Sequence, residues 1–262
     1  MRIVDLGPEN QGEFALCLED WSAEAKEGGP RRAQWIERFL ARGLRAKLAV
    51  DDRGTLGGMI QYLPIEQSTV DGEGLYFIPC IWVHGHKQGR GSFQGRGMGS
   101  ALLEAAEADA RGLGAKGMAA WGLWLPFWMR ASWYRRHGYR KVDRQGIALL
   151  VWKPFTGDAR PPRWFPAAKK PPDTVPGKVT VTAFVNGWCL AGNMTCERAR
   201  RATAELGDRV VFQEIDTSEH STVAACGRAD ALFIDGKQVR TGPPPTFDKI
   251  KALIAKRLQR MS

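Results

Sequence analysis

The chain has 262 residues, 44% of them hydrophobic and 25% charged, with a formal net charge of +10. Those fractions belong to globular proteins with a packed core, and no apolar run approaches the roughly 18 residues that span a bilayer. The first residues lack the charged-then-apolar layout of a secretory signal, and five cysteines are too few for a disulfide-stapled secreted scaffold. A cytoplasmic location with no membrane partner is expected. The positive charge fits a nucleic acid, a phosphate-rich cofactor, or simply a solvated basic surface.

Residues 1–155 read as one mixed α/β unit. Met1 to Leu6 suits a short strand, Asn10 to Asp20 a helix, and Pro30 to Gly43 a second helix. Lys47 to Asp51 and Thr55 to Leu63 form a hairpin about the Asp52-Arg53-Gly54 turn signal. Leu75 to Val83 is the strongest strand, with Pro79 marking a bulge or an unpaired edge. After a loop rich in Gly and Lys/Arg, a helix is expected from Gly97 to Leu113, with Met98, Leu102, Ala106 and Leu113 near one face. Lys116 to Leu123 follows as a buried strand, Phe127 to His137 as a helix, and Gly146 to Trp152 as a last strand.

Residues 156–177 are proline-rich without hydrophobic periodicity, which marks a linker of limited flexibility. Trp164 and Phe165 within it suggest that part of it docks on a domain. Residues 178–262 then give the order strand, helix, strand, helix, two strands paired about Asp235-Gly236, and a final helix. That order suffices for a second, smaller α/β domain.

The most informative stretch is Gln94-Gly95-Arg96-Gly97-Met98-Gly99-Ser100, at the start of an amphipathic helix. A helix start leaves its first amides unpaired and carries a partial positive charge, so it attracts anions. The glycines let the backbone approach phosphate oxygens, and Arg96 adds a full charge. The spacing fits neither the dinucleotide fingerprint nor the P-loop. Gln94-x-x-Gly97-x-Gly99 after an apolar strand instead resembles the pyrophosphate-binding motif of the GNAT superfamily, whose members use acyl-CoA. A second block, Ala131 to Tyr139 with the sequence ASWYRRHGY, resembles the helix that follows in that family. The two blocks stand in the expected order, separated by the expected strand.

The resemblance implies a GNAT fold, α/β (α+β) with a mixed, splayed sheet, over residues 1–155. It implies acetyl-CoA as cofactor and direct transfer of the acetyl group to a primary amine on a small molecule or peptide, with no nucleic acid involved. Gln94 to Ser100 would hold the diphosphate, and the backbone of Ile81, Trp82 and Val83 would pair with the pantetheine arm and polarise the thioester carbonyl. Tyr134 would be the general acid for the departing thiolate. Three features depart from the pattern. The loop His84 to Phe93 is long, Trp128 stands near a position where many relatives have Asn, and no carboxylate lies on Leu75–Val83. The general base stays open among Glu66, Glu73, His84, Cys80 and a water chain. Trp121, Trp124, Phe127, Trp128 and Trp133 form either an acceptor wall or plain core. A nucleic-acid-binding module, or a CoA-binding shell without turnover, are the competing readings.

The element order after Lys178, and Trp188-Cys189 after its first strand, resemble a thioredoxin-like domain. Joined to a GNAT domain, this resembles acetyltransferases of the YoaP type. The usual Cys-x-x-Cys pair is absent, because the next cysteine is Cys196, and Asp230 stands where a cis-proline is usual. Three roles stay open for this domain: a packing or substrate-recruiting module, a thiol role for Cys189 with Cys196, and a metal site built from Cys189, Cys196, Cys226 and His220. No standard zinc spacing supports the last.

Overall fold

The computed structural model describes residues 1–125, 129–239 and 242–261. The chain divides into two units, Met1–Ser22 with Ile36–Phe165 and Ala23–Trp35 with Pro166–Ser262. Residues 23–35, expected in the first domain, therefore group with the second. No helix among the described residues is long and apolar enough to cross a membrane.

The first unit contains, in chain order, β1 (Arg2–Asp5), α1 (Gln11–Ala15), the end of α2 (Ala25–Leu40) from Ile36 onward, β2 (Arg45–Val50), β3 (Leu56–Pro64), β4 (Val70–Asp71) and β5 (Leu75–Val83). It continues with α3 (Met98–Gly112), β6 (Gly117–Leu123), α4 (Ala131–Arg136), β7 (Arg140–Gln145), β8 (Ala148–Pro154) and β9 (Arg163–Trp164). Seven strands form one sheet in the order β1-β2-β3-β5-β6-β8-β7. Every neighbour is antiparallel except β5 and β6, which run parallel.

That one parallel pair sets the geometry of the site. Pairing holds from Leu75↔Gly117 to Ile78↔Ala120 and stops there. The next residue is Pro79, which has no N–H to give β6, and its carbonyl oxygen accepts the indole N–H of Trp121 at 2.7 Å. On its other side β5 has a register shift against β3 between Gln61 and Leu63. A bulge and a proline at one level bend the strand away from its neighbour. The splayed sheet expected from the sequence is present, and Cys80 to Val83 lie beyond the point of parting.

Helix α3 covers one face of this sheet. Met98, Leu102, Ala106 and Ala110 recur every four residues and pack with Ile60, Ile78, Met118, Ala120 and Val151 in the main core. Leu113, expected on the same stripe, is 49% exposed because the helix ends at Gly112. A polar cluster pins the helix to β2 and β3. The Asp109 carboxylate accepts the Tyr62 hydroxyl at 2.7 Å and two guanidinium N–H groups of Arg45.

Burial alone would raise the Asp109 pKa, but the hydrogen bonds from Tyr62 and Arg45 and the nearby Lys47 charge outweigh it, so its carboxyl titrates below the usual range. As pH falls the unfolded chain takes up this proton first. The stabilisation is therefore complete above the ordinary aspartate value and is lost as pH drops through the folded value. Asp109→Asn is expected to cost about 2 kcal/mol at pH 7 and less at pH 3, measured by urea unfolding at both.

Other elements differ from expectation for local reasons. Helix α1 stops at Ala15, since Cys17 and Leu18 adopt left-handed backbone angles (φ 52° and 62°). Strand β7 was not expected from its charged sequence, RKVDRQ. It is an outer strand of the sheet, where charged side chains face solvent and discourage further pairing. The helix expected from Phe127 appears as α4 from Ala131, with Phe127 and Trp128 outside the described residues. Within the proline-rich segment, Arg163 and Trp164 pair with Asp71 and Val70.

The second unit contains α2 as far as Trp35 and then β10 (Val179–Val185), α5 (Leu190–Glu205), β11 (Val210–Asp216), α6 (His220–Cys226), β12 (Ala231–Ile234), β13 (Lys237–Gln238) and α7 (Phe247–Leu258). Its sheet runs β11-β10-β12-β13, with β10 parallel to β11 and antiparallel to β12. Val181, Ala183, Ala199, Ala202, Ile250 and Ile254 form its core. The residues from α2 join through charge. Arg198, buried on α5, pairs with Glu24 and Glu27, and Arg31 grips the Glu214 carboxylate with two hydrogen bonds.

Two of the roles left open for this unit meet physical obstacles. Cys189 caps α5 and Cys196 lies seven residues along the same helix, about 10 Å away at 1.5 Å per residue. Disulfide geometry requires a Cα separation under about 7 Å. Burial and the neighbouring Glu214 carboxylate also push the Cys196 thiol up to about 12. A Cys189–Cys196 couple is therefore ruled out. Among the described residues, no group of three His, Cys, Asp or Glu side chains is arranged to hold a metal.

Candidate active site

The site is assembled where α3 begins, beside the parted strands. Phe93 and Met98 are buried, at 4% and 2% exposure, and fix both ends of the connecting turn. Gln94, Gly95, Arg96 and Gly97 between them are exposed. Gly97 is the N-cap of α3 with φ 79°, and no side chain caps the helix. Gly95 has φ 77°, and a Cβ at either glycine would meet nothing within 4 Å. Both therefore hold a left-handed backbone that other residues avoid, and both leave open space before the helix. The first turn of α3 carries no acidic residue. Arg96 lies over the Phe93 ring, 5.2 Å from its centroid.

Of the residues expected to hold the diphosphate, the structure thus gathers Gln94 to Gly97 on an exposed turn and Gly99 and Ser100 half-buried behind it. Met98 can contribute only its backbone, because its side chain belongs to the core. Gly99 admits the Trp133 ring, which a Cβ there would meet at 3.3 Å. Ile81, Trp82 and Val83 are half-buried on the part of β5 that β6 has left.

Tyr134 on α4 is 2% exposed, and its hydroxyl has no hydrogen-bond partner. Its ring packs edge-on against Trp133 and Tyr139 at 5.0 and 5.3 Å. Burial first, and then the Cys80 thiol on the parted strand, push its pKa well above the ordinary phenol value. The group is a protonated donor with nothing to donate to. A buried polar atom in that state costs roughly 1–3 kcal/mol, so it marks a position where a partner is missing.

The proposed bases fare differently. Glu66 accepts the Gly74 N–H at 2.7 Å, and with Glu73 it stands before the start of β5. Six residues separate Glu73 from Pro79, roughly 20 Å along a strand. Neither carboxylate reaches the parted region. His84 is fully buried with both ring nitrogens engaged. Its Nδ1 lies 2.7 Å from the Gly91 carbonyl, and its Nε2 accepts the Trp21 indole N–H at 3.1 Å. A lone pair committed to an indole proton cannot serve as a base. Cys80, half-buried beside Tyr134, is the only one of the four near the site.

The long loop from His84 to Phe93 is held to the first unit rather than left loose. Arg90 is 10% exposed and pairs with Glu13 and Asp20, and it donates to the carbonyls of Leu18 and Leu56. Neither this clamp nor the His84 lock was foreseen, since the Arg90 partners and Trp21 lie 34 to 77 residues away in the chain. The tryptophan run divides. Trp121 is tied to Pro79 and Trp133 packs on Tyr134, whereas Trp124 is 57% exposed. His137 was quoted in the second block without a role, although it touches Ser100.

A glycine-rich helix start, two parted strands and a buried phenol without a partner are thus gathered in the first unit. Residues 14–139, just under half of the chain, match the Acetyltransferase (GNAT) family. Among solved structures, the chain is similar to a GNAT family acetyltransferase from Brucella melitensis in complex with acetyl-CoA. That pair shares 22% identity over 61% of this chain and 90% of the other, with a TM-score of 0.41. It is also similar to the PaiA N-acetyltransferase from Thermoplasma acidophilum in complex with coenzyme A, at 16% identity over 59% and 100%, with a TM-score of 0.43. The YhbS N-acetyltransferase from Escherichia coli in complex with CoA gives 15% identity over 62% and 88%, with a TM-score of 0.44. No curated protein matches the chain.

Proposed function

We propose that the protein is a cytoplasmic N-acetyltransferase that uses acetyl-CoA and a primary amine carried by a small molecule or peptide. The observation that carries this reading is the Tyr134 hydroxyl, buried and without a partner beside the parted strands. When bound, acetyl-CoA supplies the acetyl thioester, whose C–S bond breaks as the amine nitrogen forms its bond to the carbonyl carbon. The amides of Gly97 to Ser100 and the Arg96 guanidinium grip the diphosphate. Backbone groups of Ile81 to Val83, free of β6, line up the pantetheine arm and polarise the carbonyl. Tyr134 donates its proton in a hydrogen bond to the departing sulfur, gaining the partner it lacks. With Glu66, Glu73 and His84 set aside, Cys80 and water remain as acceptors of the amine's proton, and the acceleration rests largely on proximity and orientation.

For the second unit the proposed class is thioredoxin-like. Its β-α-β-α-β-β-α order and the strand order β11-β10-β12-β13 support this. Its proposed role is packing or recruitment of the acceptor, in keeping with the separation of Cys189 from Cys196 along α5.

The test is the loss of thioester absorbance from acetyl-CoA across a panel of polyamines, aminoglycosides, amino acids and peptides. Turnover with at least one amine supports the reading. Bound coenzyme A with no turnover on any member would favour a non-catalytic shell.

A further inference from the structure

His137 and Ser100 meet beside the helix start proposed as the anion site. The inference rests on the proposal that Gln94–Ser100 holds the diphosphate of coenzyme A. His137 is the C-cap of α4, and its Nδ1 lies 2.9 Å from the carbonyl oxygen of Trp133. A carbonyl oxygen only accepts, so Nδ1 carries a hydrogen in either charge state. Nε2 lies 2.9 Å from the Ser100 hydroxyl, in the first turn of α3. With the imidazole neutral, Nε2 is bare and the single Ser100 proton must point at it. Ser100 then has no proton to offer an anion before the helix. With the imidazole charged, Nε2 donates to the Ser100 oxygen and the Ser100 proton is released.

The surroundings set the sense of the switch. The charged residues on the elements that pack here are Glu104, Glu107, Asp109 and Arg111 on α3, Arg135 and Arg136 on α4, and Arg140, Lys141, Asp143 and Arg144 on β7, with Arg96 and Arg130 just before the two helices. Eight of these twelve are cations, and Glu107 and Asp109 are paired with Lys153 and Arg45. Among the described residues none forms an ion pair with His137, whose other neighbour is the Trp133 ring at 4.3 Å. A diphosphate beside α3 favours the charged imidazolium over the neutral ring. We infer that binding of coenzyme A is coupled to uptake of a proton at His137, which converts Ser100 from a donor to imidazole into a donor to phosphate.

Titration calorimetry of coenzyme A into the full chain, in two buffers of unlike ionisation enthalpy from pH 6 to 8.5, reads the protons exchanged. The wild-type protein is expected to take up roughly half a proton near pH 7 beyond that of His137→Gln, within the range where imidazoles titrate. Ser100→Ala is expected to lose the same uptake and about fivefold in affinity, for one phosphate hydrogen bond. It also serves if His137→Gln fails to fold. Equal proton uptake by wild type and both variants, with binding intact, overturns the switch alone. No binding by the wild type overturns the coenzyme A reading and the switch with it.

Discussion

Tyr134→Phe is expected to lower kcat by about 100-fold while leaving the affinity for coenzyme A within about twofold. The hydroxyl is buried, lacks a partner and is held protonated by its surroundings, so the oxygen can be removed without breaking any hydrogen bond in the free protein. Phe keeps the ring that packs on Trp133 and Tyr139. Removing a buried, unsatisfied hydroxyl is neutral or mildly stabilising, so the variant should unfold at the same temperature or slightly above. This combination distinguishes a catalytic hydroxyl from a structural one, whose loss would lower both stability and kcat. Steady-state kinetics and thermal unfolding measure the pair. An unchanged kcat removes Tyr134 from the mechanism.

Gly97→Val is expected to weaken coenzyme A binding by about 100-fold. Left-handed backbone costs a residue with a Cβ about 1–2 kcal/mol, and a branched side chain fits it poorly. A Cβ at Gly97 would meet no protein atom within 4 Å, so the fold pays strain alone and the side chain projects into the space where the anion belongs. Gly114 provides the control. It stands just past the other end of α3 with φ 80° and equally open surroundings. Gly114→Val should therefore lower the melting temperature by a similar few degrees and leave binding unchanged. Calorimetry and thermal unfolding of the two variants separate strain from obstruction, and equal loss of affinity in both would contradict the cradle.

The residues that made the site legible act over short range. Pro79 and the β-formers around it announced a strand that could not stay fully paired, and the parting after Ile78 follows directly. Gly95, Gly97 and the apolar repeat that follows defined a helix start with open amides. What escaped was set by distant partners. Residues 24–35 fell within the first domain, with a helix expected only from Pro30, but Glu24, Glu27 and Arg31 find Arg198 and Glu214 more than 170 positions away. A domain boundary drawn on composition could not place them. His84 looked like a base because an isolated histidine carries a lone pair, and only Trp21, 63 residues away, shows that it is spent. Strand β7 was hidden by its own charge, which suits an outer strand and breaks the alternation that usually betrays one.

The mechanism, the proton switch and the glycine cradle all require that the turn before α3 and the parted strands hold one molecule of acetyl-CoA. Equilibrium dialysis of the full chain against radiolabelled acetyl-CoA measures this without relying on turnover or on a heat signal. About one equivalent retained per chain, displaced by unlabelled coenzyme A and weakened by rising salt, is the expected result. Equal label on both sides of the membrane, with folded protein at micromolar concentration, would contradict it.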